Sequence, residues 1–164
     1  MIKYVDTLVG FSEVPDEITL CINISNCPNK CRACHSPWLR QDIGTPLTSS
    51  ELKFLIESNK GITCVSFMGG DAFTNEVNTL AKYVKSVYPH LKTCWYSGKN
   101  NGNFTKLGIE LCNFDFIKIG SFIKKRGPLN DPNTNQHMFE IKYVGDKLAV
   151  REITHKFWKN GDKS

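Results

Sequence analysis

The sequence lacks any apolar run approaching the roughly 20 residues needed to cross a bilayer. Its N-terminus, MIKYVDTLVGF, shows no basic start leading into an apolar stretch and a small-residue cleavage site. Together these absences lead us to expect a cytoplasmic protein without a membrane partner. There is no internal repeat, low-complexity tract or domain linker. The 164 residues are expected to form one domain that buries its own core, about 17–144, followed by a basic C-terminal tail. No aromatic-basic interleaving of a nucleic-acid module is present, so nucleic acid is not an expected partner. Beyond residues 27–34 there is no further cysteine cluster.

What is present is ordinary globular composition, 40% hydrophobic and 23% charged, with a formal charge of +5. Much of that charge gathers at the end. Lys142, Lys147, Arg151, Lys156, Lys159 and Lys163 stand against Asp146, Glu152 and Asp162, and a solvated, frayed tail is the plain reading. The seven cysteines are odd in number and come without an export signal. Reduced thiols for metal or redox work fit this better than a disulfide framework. Cys21, Cys64, Cys94 and Cys112 have apolar neighbours and read as small buried hydrophobes. Cys27, Cys31 and Cys34 lie among polar residues in a loop, CPNKCRACH.

The local pattern predicts strands at 17–24, 62–68, 93–97 and 114–119, and a fifth at 138–144. Helices are predicted from Ser49 and over 75–88, with a short one at 106–112. Thr48 is expected to cap the first, with Glu51 completing a capping box and Leu52, Leu55 and Ile56 on one face. Apolar strands alternating with amphipathic helices imply a parallel sheet covered by helices. Such sheets carry their chemistry in loops at the carboxyl ends of the strands. The cysteine loop, Gly69-Gly70-Asp71, Ser97-Gly98 and Gly120 all fall there. The loop from Ile123 to Gln136 is long, and long loops in compact domains tend to be functional or mobile.

Three thiolates on one loop can converge on a metal centre. Structural zinc wants four protein ligands, and His35 directly after Cys34 is an awkward fourth. A [4Fe-4S] cubane is the better fit: three thiolates hold three irons and leave one open to another molecule. The four histidines, His35, His90, His137 and His155, are scattered and suggest no general acid or base.

C-x3-C-x2-C after the first strand of an α/β chain resembles the radical S-adenosylmethionine superfamily. Phe67-Met68-Gly69-Gly70-Asp71 is similar to that family's strand-end Gly-Gly-acid motif, and Trp95-Tyr96-Ser97-Gly98 to its Ser/Thr-Gly. The resemblance implies an incomplete parallel TIM-like barrel, with Cys27, Cys31 and Cys34 as cluster ligands. It further implies that S-adenosylmethionine binds at the open iron, with Gly69, Gly70 and Asp71 receiving its amino end. Ala33, Cys34, His35 and Ser97 would flank the rest of the cofactor.

The short chain, with Ile119-Gly120-Ser121-Phe122 and Thr134-Asn135-Gln136, is similar to the activating proteins of anaerobic ribonucleoside-triphosphate reductase. That likeness runs to about Gln136. It implies an oxidoreductase that cleaves S-adenosylmethionine and places a glycyl radical on the large reductase subunit. It also implies a low-potential donor of flavodoxin or ferredoxin type. Two features depart from the pattern: Ala72 replaces the usual proline, and Ile119 the usual acid. His35-Ser36-Pro37-Trp38 resembles pyruvate formate-lyase activases instead, so that substrate stays open, as does a zinc-stabilised binding module.

Overall fold

The computed structural model describes residues 1–158. In chain order the elements are β1 (Lys3–Gly10), β2 (Thr19–Ile24), β3 (Thr45–Pro46), α1 (Ser49–Ser58), β4 (Cys64–Met68) and α2 (Thr74–Val87). They continue with β5 (Lys92–Tyr96), β6 (Phe116–Ile119), β7 (His137–Val144) and β8 (Lys147–Glu152), and single 3-10 turns occupy Pro37–Arg40, Leu111–Asn113 and Thr154–Phe157. The eight strands make one open sheet in the order β3-β1-β2-β4-β5-β6-β7-β8. β2, β4, β5 and β6 run parallel. The outer strands β1, β3, β7 and β8 pair antiparallel. Among the described residues no helix is long and apolar enough to cross a membrane.

The parallel strands are apolar on both faces because each face is covered, but by different things. Leu20, Ile22, Val65, Phe67, Trp95 and Ile117 join Leu52, Leu55 and Ile56 of α1 and Val77, Leu80 and Val84 of α2 in the main core. The alternate positions Cys64, Cys94 and Phe116 face the other way and pack with Val14, Leu129, Met138 and Ile153. Helices thus cover one face, whereas loops cover the other, where helices on the whole sheet were expected. Thr48 caps α1, its Oγ1 accepting from Glu51 N at 3.1 Å. The Glu51 carboxylate does not close the box. It accepts from the Tyr4 hydroxyl and so ties α1 to β1. Lys85 of α2 donates to both Asp115 oxygens at 3.0 Å, fastening that helix at the foot of β6.

Several expectations need correction. β1 was not anticipated, because its inner and outer positions mix burial along an antiparallel strand near the sheet edge. The expected helix at 106–112 is a run of turns ending in the 3-10 turn, in which Asn113 and Phe114 are buried, Leu111 is half-buried against the core and Cys112 points outward. Cys112 is accordingly exposed, not buried, while Cys21, Cys64 and Cys94 are buried as expected. β7 is antiparallel to β6, because the 120–136 connection contains no helix to carry the chain back across the sheet. The expected frayed tail is, in its described part, β8 and a 3-10 turn. β8 returns on β7 through Gly145-Asp146, with Gly145 at φ +63°, the pattern of a II′ hairpin turn. Lys159, Asp162 and Lys163 lie outside the described residues.

The buried thiols set a pH dependence. Burial pushes Cys21 up to about 12 from its ordinary 9.0. Cys64 and Cys94 are raised as well, also chiefly by burial. An acid with a raised folded pKa stays protonated while the unfolded chain ionises. Its stabilisation is therefore complete below about pH 9 and is lost as pH climbs towards the folded value. Lys118 acts oppositely, since burial lowers it to about 8 and relieves a cost between there and 10.5. With three thiols against one amine, melting temperature of the cluster-free protein should fall between pH 9 and 12. Cys64→Ala should make that fall shallower, and thermal melts across the range check it.

Candidate metal centre at the strand ends

Because β2, β4, β5 and β6 are parallel, the segments that follow them collect at one end of the sheet. The cysteine loop is closed at its base. Asn26 N donates to Gln41 O at 3.0 Å and Cys27 N to Leu39 O at 2.8 Å, while Ser25 N donates to Lys3 O at 3.0 Å. Cys27 therefore sits at a fixed root. At the tip, Cys34 N donates to Cys31 O at 3.3 Å, and the Arg40 guanidinium donates to that same carbonyl. All three thiols are free and half-buried. Burial pushes the Cys27 thiol up, with hydrogen bonds from Asn29 opposing it and the Asp71 and Cys34 charges adding to it.

The second segment is a stiff turn. Gly69 and Gly70 have φ +99° and +89°, a region that side chains rarely adopt. A Cβ on Gly70 would lie 2.7 Å from a Val77 methyl, so this glycine also lets α2 start close beneath the turn. Gly69 N donates to Tyr96 O at 2.9 Å, and its carbonyl accepts from the Trp95 indole at 2.8 Å. Trp95 is fully buried, so the turn is locked to β5 from inside the core.

Asp71 joins the segments. Its carboxylate is buried and accepts from Ser97 Oγ at 2.6 Å, from Gly98 N at 2.8 Å and from Asn29 Nδ2 at 2.6 Å. One side chain thus ties the cysteine loop to the ends of β4 and β5. Gly98 makes room for this: a Cβ there would lie 2.3 Å from Asn29 Nδ2. The structure so brings together Gly69, Gly70, Asp71 and Ser97 with the root of the cysteine loop. It does not draw His35 into that group; His35 is exposed, its ring 4.6 Å from that of Phe122. Ala33 is half-buried at the loop tip.

Two residues were missed from the sequence. Asn29 gave no signal, being one polar residue among several between cysteines. Lys118 did give one: it stands inside FIKI, an otherwise apolar strand. It is buried, donates to Gly120 O at 2.6 Å, and has its ammonium 5.7 Å from the Tyr96 ring centre. Gly120 in turn permits a close crossing, since a Cβ would lie 2.9 Å from Gln136 Cα. Ile119-Gly120-Ser121-Phe122 and Thr134-Asn135-Gln136 therefore meet, with Asn135 Nδ2 donating to Ser121 O at 2.9 Å.

A cavity of about 410 Å³ opens beside the cysteine loop, lined by Asn29, Cys31, Gly98 and Ser121 among others. A larger one, about 640 Å³, lies on the loop-covered face between Phe11–Asp16 and Pro128–Gln136 and touches none of the anticipated site residues. The smaller is the one adjacent to the chemistry. In this conformation the thiols are not drawn to a common centre. Among the described residues no three His, Cys, Asp or Glu side chains are gathered closely enough to hold a metal ion. The donor set nonetheless fits an iron-sulfur cluster. It offers three half-buried thiols on one pinned loop, with no fourth cysteine beside them among the described residues. The other cysteines are separated from it by burial or by position.

No curated protein and no solved structure matches the chain. Residues 18–135, from β2 through the long loop before β7, match the family described as 4Fe-4S single cluster domain. That span contains the cysteine loop, Asp71 and both of its strand-end partners, and the chain therefore belongs to the 4Fe-4S single cluster domain family.

Proposed function

We propose that this protein is a radical S-adenosylmethionine activase that generates a glycyl radical on the large subunit of anaerobic ribonucleoside-triphosphate reductase. The observation that carries the reading is the Asp71 junction. It sets a three-cysteine loop against Gly69-Gly70 and Ser97-Gly98 at the carboxyl ends of parallel strands. In this reading the four parallel strands are the arc of an incomplete TIM-like barrel, and Cys27, Cys31 and Cys34 hold the [4Fe-4S] cluster. When bound, the cluster and S-adenosylmethionine would supply the one-electron chemistry that removes a hydrogen atom from a glycine Cα of the partner. The chain's own residues position and shield. Gly69 and Gly70 allow close backbone approach. Asp71 has three of its roughly four acceptor sites filled, leaving one for an ammonium donor. Ser97 borders that space, and Ala33 and His35 would flank the cofactor once the cysteine loop closes. Binding a cluster requires the thiols to deprotonate and turn inward, so loop closure accompanies assembly.

The test is anaerobic reconstitution with iron and sulfide, reduction, and mixing with S-adenosylmethionine and a candidate partner. Electron paramagnetic resonance should show a glycyl doublet with the reductase subunit. A doublet only with pyruvate formate-lyase would reassign the partner, the reading that His35-Ser36-Pro37-Trp38 favours. A protein that takes up zinc alone would overturn the activase.

A further inference from the structure

A buried ammonium stands among the strand ends without a carboxylate in contact. Along β6, Ile117 and Ile119 pack into the helix-covered core, so Phe116 and Lys118 take the loop-covered face. Lys118 is only 8% exposed. Its register partner on β5 is Tyr96, whose ring centre lies 5.7 Å from the ammonium. The side chain runs towards the carboxyl rim of the sheet, where Nζ donates to Gly120 O at 2.6 Å and to Ser97 O at 3.4 Å. Both acceptors belong to the segments around the cysteine loop. Ser97 Oγ and Gly98 N donate to Asp71, and Gly98 and Ser121 line the same cavity as Cys31.

An apolar side chain would fill this position in FIKI without electrostatic cost, whereas an ammonium taken out of water is costly unless it is paired. Among the described residues Lys118 takes part in none of the eight ion pairs. Two neutral carbonyls and an aromatic face hold it instead. Burial lowers its pKa to about 8, and the charges of Asp71, Cys31 and Cys94 act against that fall. Asp71 is already committed to three donors. Cys31 is one of the three thiols of the cysteine loop, so that loop lies within electrostatic reach of the ammonium.

We propose that Lys118 is the buried counter-charge of the iron-sulfur cluster and favours its reduced form. The inference rests on Cys27, Cys31 and Cys34 holding the cluster, and not on which protein receives the radical. A cluster held by three thiolates is negatively charged, and taking up one electron deepens that charge. A fixed cation close by, shielded from water, lowers the energy of the reduced state more than that of the oxidised one. The electron comes from the external reductant, and Lys118 keeps its proton in both states. It touches no reacting atom and acts only through the charge it sets beside the loop.

The experiment titrates the anaerobically reconstituted protein with dithionite through redox mediators, without S-adenosylmethionine or protein substrate. Electron paramagnetic resonance follows the reduced cluster. Lys118→Met removes the charge, Lys118→Gln removes it but leaves an amide that can donate to a carbonyl, and Lys118→Arg keeps it. The Met and Gln variants should each be about tenfold harder to reduce, a fall of about 59 mV in midpoint for one electron. The Arg variant should stay close to the parent. So should Lys53→Met, whose lysine is exposed on α1 and paired with Glu57. Circular dichroism and iron content show that each variant folds and loads. The parent's midpoint in both neutral variants would overturn the inference. So would a fall in the Met variant alone, which would leave Lys118 a strut between strand ends. Unchanged midpoints with weakened S-adenosylmethionine binding in equilibrium dialysis would also overturn it, making the cation a partner of that cofactor's carboxylate. If the neutral variants fold but load no cluster, the charge requires that Lys118→Arg alone loads, and loss of loading in all three refutes it. A parent that forms no cluster sinks the cluster assignment itself, whereas equal midpoints sink only the role of Lys118.

Discussion

Cys27→Ala is expected to give a folded, colourless protein that neither assembles the cluster nor cleaves S-adenosylmethionine. The fold should survive because the thiol is half-buried in a loop and belongs to neither hydrophobic cluster. The loop root is also held by backbone bonds from Asn26 and Cys27 that alanine keeps. The cluster should be lost because two thiolates leave two irons without protein ligands. Cys31→Ala and Cys34→Ala should behave alike. Cys112→Ala is the control: it is exposed on a 3-10 turn and should retain full colour. Iron content, visible absorbance and circular dichroism read the three outcomes separately. A brown Cys27→Ala protein with full iron would remove this residue from the ligand set.

The second large effect is at Asp71. Asp71→Ala leaves Ser97 Oγ, Gly98 N and Asn29 Nδ2 without their acceptor. Hydrogen bonds to a charged group contribute about 1.5–3 kcal/mol each, though three sharing one carboxylate are not additive. A net loss of about 3 kcal/mol would lower the melting temperature by roughly 6–12 °C in a chain of this size. Cluster uptake should fall as well, because the loop is no longer tied to the strand ends. Two further variants divide the roles. Asn29→Ala cuts only the tie to the loop, so cluster content should drop while the melting temperature changes little. Gly98→Ala should reproduce that phenotype by pushing the Asn29 amide away. Asp71→Asn keeps an acceptor but loses the charge. It should therefore hold the cluster yet bind S-adenosylmethionine poorly, as seen by equilibrium binding. Full cluster content in both Asp71→Ala and Asn29→Ala would show that the junction does not position the loop.

The parallel strands were readable as near-continuous apolar runs: 17–24, 62–68, 93–97 and 114–119 match β2, β4, β5 and β6 to within two residues at each end. The helices were readable from their spacing and from Thr48. The antiparallel margins were harder. β1 and β8 each expose one face or most of their length, so their patterns are mixed, and KLAVRE looked like part of a basic tail. The direction of β7 depended on the absence of a helix in the preceding connection, which a loop-rich composition suggests but does not decide. Cys112 was misplaced because an apolar neighbourhood in sequence does not say which residue of a single 3-10 turn points inward.

By itself the sequence determined the chemistry available: three thiols at a spacing that suits one centre, a strand-end Gly-Gly-Asp, and apolar strands that must be covered on both faces. Only the tertiary structure decided what those groups meet. Asp71 reaches Asn29 across 42 positions and Gly98 across 27, through strands paired in parallel. Local patterns encode periodicity and turn chemistry, but contacts between distant segments arise from strand order and register. Those are settled when the whole core packs at once.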